Sequence, residues 1–125
     1  MGRHVTPPEH VRLALESLFG AGVERVQIIE HSMFTCLHGR AIATTRRGRI
    51  YLRGSAADFF DDPVLMLHEY CHVLKQWEPR LLTIRRYLRE WLRRGYWDNP
   101  FEIEAREFAA DNLHRFRALL TRLAK

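Results

Sequence analysis

Residues 62–79 read DPVLMLHEYCHVLKQWEP, an apolar helix carrying one polar stripe. Asp62 before Pro63 is a helix start, because proline at the first helical position has no amide to leave unpaired, and Pro79 stops the run after Trp77. Met66, Leu67, Tyr70, Val73, Leu74 and Trp77 cover most of the surface and leave His68, Glu69, His72, Lys75 and Gln76 together. His68 and His72 lie four residues apart, so both imidazoles share one face about a turn apart, a separation that one zinc ion bridges. Composition predicts about 0.03 chance occurrences of this HExxH pattern in a chain with seven histidines. Taken into a core without a metal, two histidines and a carboxylate would cost on the order of several kcal/mol in unpaired polar groups. The stretch therefore predicts Zn2+ as cofactor, with His68 and His72 as ligands and Glu69 as general base.

A third ligand has to come from elsewhere, since Lys75 and Glu78 stand where the metzincin extension needs Gly and His. Glu102 and Glu104, in Phe101-Glu102-Ile103-Glu104-Ala105, are the candidates, and helical spacing separates them. Glu102 shares a face with Ala105, Ala109, Leu113 and Phe116; Glu104 shares one with Glu107 and Asp111. Glu102 thus points inward, and the two alanines let its helix approach the HExxH helix closely. Glu102 also stands three residues after Asn99, where a capping box would use it, and Glu78 is the lesser alternative ligand.

Working outward, Asn99-Pro100 starts a C-terminal helix carrying Phe108, Phe116, Leu120 and Leu123. A third helix is predicted from Pro79 to Gly95, with Leu81, Ile84, Leu88 and Trp91 on one side and Arg85, Arg86, Arg89 and Arg93 on the other. Thr6-Pro7-Pro8-Glu9 reads as a capping box opening a helix over 7–19. Between them, Val23 to Ile29, Ala41–Thr45 and Ile50–Arg53 have strand character, with a turn at Arg46-Arg47-Gly48 and a Gly/Ser/Ala loop before Asp62. The expected architecture is α+β, one zincin-like domain over 1–125: an N-terminal helix, a small mostly antiparallel sheet, the HExxH helix and two further helices.

The chain has 125 residues, 46% hydrophobic and 28% charged, enough for one core without disulfides. Its two cysteines, Cys36 and Cys71, make no disulfide framework and read as free thiols; Cys36 as an inhibitory occupant of the metal is the remote alternative. No stretch approaches the roughly 18 apolar residues of a membrane span, and the start lacks the apolar core of a signal peptide. The cytoplasm is the default expectation. The formal net charge of +5 allows an anionic partner, for which the Arg-rich third helix is the candidate, and identifies none.

His68-Glu69-x-x-His72 followed by Glu102-x-x-Ala105 resembles the gluzincins, in which the first Glu of an E-x-x-[AS]-[DN] helix is the third zinc ligand. Arg106 departs from that pattern, so the bond that orients a zinc histidine is either absent or supplied by another group, with Asp111 and Asp98 as the candidates. The wider run from Arg49 to Ala105, with Gln76-Trp77, Tyr96 and Asn99-Pro100-Phe101, is similar to the metallopeptidase domain of extracellular contractile injection system loci. The resemblance implies a zinc metallopeptidase acting on a peptide or protein, with an edge strand aligning the substrate, here Ile50–Arg53 or Ala41–Thr45. Tyr96 is the candidate donor to the oxyanion. The alternative from another class is a non-catalytic zinc-containing module that uses the Arg-rich helix to engage nucleic acid or an acidic protein; Glu69, which a structural zinc does not need, separates the two.

Overall fold

The computed structural model describes residues 2–32 and 43–125, and their fold is α+β. Strand β1 (Arg3–Val5) leads into α1 (Glu9–Phe19), a 3-10 turn (Ala21–Arg25) and β2 (Gln27–Glu30). The hairpin β3 (Ala43–Arg46) and β4 (Arg49–Leu52) follows, then α2 (Ala56–Phe60) and α3 (Pro63–Cys71). Helix α3 continues as a π-helical turn over His72–Trp77, and α4 (Ile84–Arg94) and α5 (Pro100–Leu123) complete the chain. The expected class is borne out. Cys36 and the first residues of the predicted strand 41–45 lie outside the described residues.

The sheet order is β1-β2-β4-β3. Strands β2 and β4 run parallel with Ile28 opposite Ile50, while β1 on β2 and β3 on β4 are antiparallel, so the sheet is mostly antiparallel as expected. Gly48 takes φ 73° in the turn between β3 and β4, a backbone angle that costs glycine little. Strand β4 is interior, which corrects the expectation that Ile50–Arg53 could be an edge; among the described residues β3 is the edge beside the helices. Ile28, Ile50 and Leu52 pack into a core with Val11, Leu15, Leu67, Tyr70 and Phe116. Helix α5 lies along α3 with Ala105 and Ala109 fully buried, as the small-residue face predicts.

Two helix starts differ from the sequence expectation. Helix α1 begins at Glu9 with Pro8 at its cap and no side-chain capping bond, not at Thr6. A residue before proline is driven out of the helical region, and Thr6 and Pro7 both precede one. Helix α4 begins at Ile84, capped by Thr83, whose hydroxyl accepts from the Arg86 amide at 3.2 Å. Pro79 does not start it because Arg80 turns left-handed at φ 63° and Leu82 is buried beside the end of the π turn, its amide 2.8 Å from the Gln76 carbonyl. Helix α2 replaces the expected loop. Ser55 caps it, and the buried Glu30 carboxylate of β2 accepts from the Ala56 amide at 2.7 Å while pairing with Arg3.

Candidate metal centre

Helix α3 starts where Asp62 accepts from the Leu65 amide at 3.1 Å, with Pro63 next to it. From there the 3.6-residue pitch carries His68 and His72 to the same side, facing α5. Glu102 arrives from the first turn of α5, whose cap is Asn99, bonded through its side chain to the Phe101 amide at 2.9 Å. The Glu102 carboxylate does not close the capping box. Its Oε1 lies 2.9 Å from His68 Nε2 and 3.0 Å from His72 Nε2, and the two histidine nitrogens are 3.1 Å apart.

These three residues form a group that can hold a metal ion, all ligand atoms lying within 4.8 Å of one another. The test of fit is the state of the nitrogens. His72 Nδ1 is 2.6 Å from Gln76 Oε1, while Gln76 Nε2 donates to the Phe101 carbonyl at 2.8 Å and to Glu104 at 2.6 Å. That pattern fixes the amide's orientation, so the proton of a neutral His72 sits on Nδ1 and the Nε2 lone pair faces Glu102. The second carboxylate oxygen, Oε2, accepts from the Tyr87 hydroxyl at 2.8 Å. Mutual separations near 3 Å are those of ligands about 2.0–2.2 Å from one tetrahedral cation, slightly contracted, and two imidazoles with one carboxylate are a three-ligand zinc set. The residues fit.

The charges respond accordingly. Burial of His72 opposes its charge, but the bond to Glu102 and the fields of Glu69 and Glu102 outweigh it and raise its pKa to about 9. Burial of Glu102 likewise opposes its charge and is overcome by the bonds from His68 and His72, which leaves its pKa lowered. Glu69, buried in the same pocket, has its pKa raised by desolvation against the opposing pull of both histidines. A site of this kind accumulates negative charge that a proton or a cation must balance.

The other sequence candidates fall elsewhere. Glu104 is exposed and holds Gln76; Glu78 pairs with Arg25. Asp98 and Asp111 are exposed, and the bond that orients a histidine comes from Gln76, four residues after His72 in the same polar stripe. Arg106 stacks on Trp97 with its guanidinium carbon 3.9 Å from the ring centre. Tyr96 is about half exposed, and burial followed by the fields of Glu102 and Glu69 raises its pKa, so its hydroxyl senses the site. Tyr87 had no sequence signal. Cys71 is a buried free thiol raised to about 12, chiefly by burial. Trp77, at the end of the π turn, donates to Thr45 Oγ1 at 3.1 Å and so ties this helix to edge strand β3.

No protein-family profile matches the chain, and neither does any curated protein or solved structure.

Proposed function

We propose that this chain is a zinc-dependent metallopeptidase of gluzincin type, working in the cytoplasm on a peptide or protein. What carries the reading is the chain of contacts Gln76–His72–Glu102–Tyr87 with Glu69 buried beside it. A donor set of two histidines and a carboxylate also suits other divalent metals; the buried acid between the histidines in sequence is what favours hydrolysis.

His68, His72 and Glu102 would hold the ion, and zinc supplies Lewis acidity toward water and a scissile carbonyl when bound. Glu69 takes the proton of the attacking water and delivers it to the leaving amine, and its desolvated carboxylate holds a proton more readily than an exposed one. Gln76 keeps the His72 Nε2 lone pair inward, and Tyr87 holds Glu102 by the oxygen that does not face the histidines. Strand β3, the edge beside α3 among the described residues, aligns an extended peptide, and Tyr96 donates to the oxyanion.

Elemental analysis of the purified protein should give one zinc per chain, lost in His68→Ala and His72→Ala. Glu69→Gln should retain zinc and fold yet hydrolyse a peptide library at least about 100-fold more slowly, because an amide accepts no proton at neutral pH. Equal cleavage by wild type and Glu69→Gln would remove the peptidase reading, and full zinc retention in either histidine variant would remove the site.

A further inference from the structure

Helix α4 adds no residue to the core. Its sequence, Ile84-Arg85-Arg86-Tyr87-Leu88-Arg89-Glu90-Trp91-Leu92-Arg93-Arg94, contains no buried residue. Ile84, Leu88, Trp91 and Leu92, spaced i, i+4, i+7 and i+8, share one face, and Leu92 is 78% exposed. An amphipathic helix in a folded chain ordinarily turns such a face to the core. Here the side facing the body is a different one, the side of Tyr87, which reaches Glu102, and of Glu90.

The charges along α4 say what covers the apolar face. Five arginines stand against Glu90, which receives Arg94 at 3.1 Å and Arg89 and Arg93 more loosely. Arg85 borders the apolar stripe beside Leu88 and Leu92, while Arg89 and Arg93 lie further round the helix, toward Glu90. A second copy of this chain meeting α4 face to face would set arginine against arginine. An anionic surface that is apolar immediately beneath its charges satisfies both features at once, and a lipid leaflet is such a surface. Arginine suits it, because its stem lies along apolar groups while its planar head bonds phosphate in pairs. Trp91 is at home at a headgroup boundary, with a ring that is apolar on its body and polar at its N–H. The helix is about 16 Å long, far short of a span, so it would lie in the plane of the interface.

We propose that α4 is a peripheral membrane anchor that binds the surface of an anionic lipid bilayer through Ile84, Leu88, Trp91 and Leu92, with Arg85 on the phosphates and Arg89 and Arg93 adding to the positive field above them. The whole-chain charge of +5 adds to the attraction. The anchor stands apart from the metal chemistry, and its test does not depend on that reading.

Co-sedimentation of the full chain with phosphatidylcholine vesicles, with and without added phosphatidylglycerol, reads the proposal. Binding should require the anionic lipid, weaken with salt and be the same in a chelator. Leu88→Asp and Leu92→Asp should each weaken it about tenfold or more, and Arg85→Gln or Arg89→Gln about fivefold each. Lipids brominated on the acyl chain should quench fluorescence of the wild type more than of Trp91→Tyr. These side chains are exposed, and circular dichroism checks that the fold survives; Leu92→Ser is the milder variant if Leu88→Asp unfolds. Equal binding to neutral and anionic vesicles, or undiminished binding by folded Leu92→Asp or Leu92→Ser, would overturn the anchor. So would indifference to all vesicles, and capture by polyglutamate in that case would assign the face to an acidic protein.

Discussion

Because Gln76 holds the Nδ1 proton of His72 and Tyr87 holds the outer oxygen of Glu102, neither ligand is free to turn away from the site. Gln76→Leu and Tyr87→Phe should each weaken zinc binding by roughly 10–100-fold, measured by competition with a chromogenic chelator. Glu102→Gln should weaken it further and Glu104→Gln least, since Glu104 touches the site only through Gln76. The pH dependence follows from His72. Its pKa in the metal-free fold, about 9, is raised above the ordinary 6.5. The stability its proton confers is therefore complete below pH 6.5 and lost as pH rises through 9. A metal must displace that proton, so affinity should climb by up to about tenfold per pH unit from 7 to 9 and level off above. Flat affinity across that range would mean His72 is not the protonated partner. The three ligand candidates were readable from spacing and face alone. Gln76 was visible as part of the polar stripe, but not its role, which depends on the pitch of the helix beyond His72. Tyr87 was not readable at all, because the link from α4 to Glu102 is set by the loop of residues 95–99 and by no periodicity.

At the scale of elements, the contact of α3 with α5 sets the distance between the histidines and Glu102. Ala105 is fully buried in that contact, so Ala105→Leu should cost about 1–3 kcal/mol by overpacking, read in urea unfolding, and should weaken zinc binding together with stability. Tyr70, on the buried side of α3, has a hydroxyl with no hydrogen-bond partner among the described residues, and its ring lies 5.9 Å from that of Phe19. Tyr70→Phe keeps the ring and removes the orphaned group, so it should stabilise the fold by about 1 kcal/mol. A loss of stability instead would reveal a partner for that hydroxyl. Helices α3 and α5 were legible because long 3.6-residue patterns with Asp-Pro and Asn-Pro starts agree at every level. Strand β1 was not, since Arg3-His4-Val5 offers a single apolar residue to a period of two. The short helix α2 escaped because Ala56 and Phe59 are too few to show a period, and part of its start comes from Glu30 across the sheet.

Over the whole molecule, the ligands join a helix near residue 70 to one beginning at residue 100, so zinc binding should stabilise the fold cooperatively. With free zinc at about 100 times Kd, the gain is about 2.7 kcal/mol, on the order of 10 °C in Tm, reversed by chelation. Hydrogen exchange should divide the chain in the same way: amides of α3 and α5 slow, those of α4 fast, because α4 adds no residue to the core. The turn from His72 to Trp77 adds a constraint on length. Its bonds run from each amide to the carbonyl five residues back, as from Glu78 to Val73 at 2.9 Å, so it carries one residue more than an α-helix of the same extent. Lys75 is exposed there, and Lys75→Ala should cost little beyond its contact with the Phe108 ring. Deleting Lys75 is a different event. Because the turn holds one residue more than an α-helix of the same extent, the deletion restores the α pitch and leaves the glutamine near the face of His72 and Trp77 near Thr45. The constraint therefore runs one way: the turn can give up one residue and fall back to the α pitch, whereas an inserted residue would have to be stored as a second bulge.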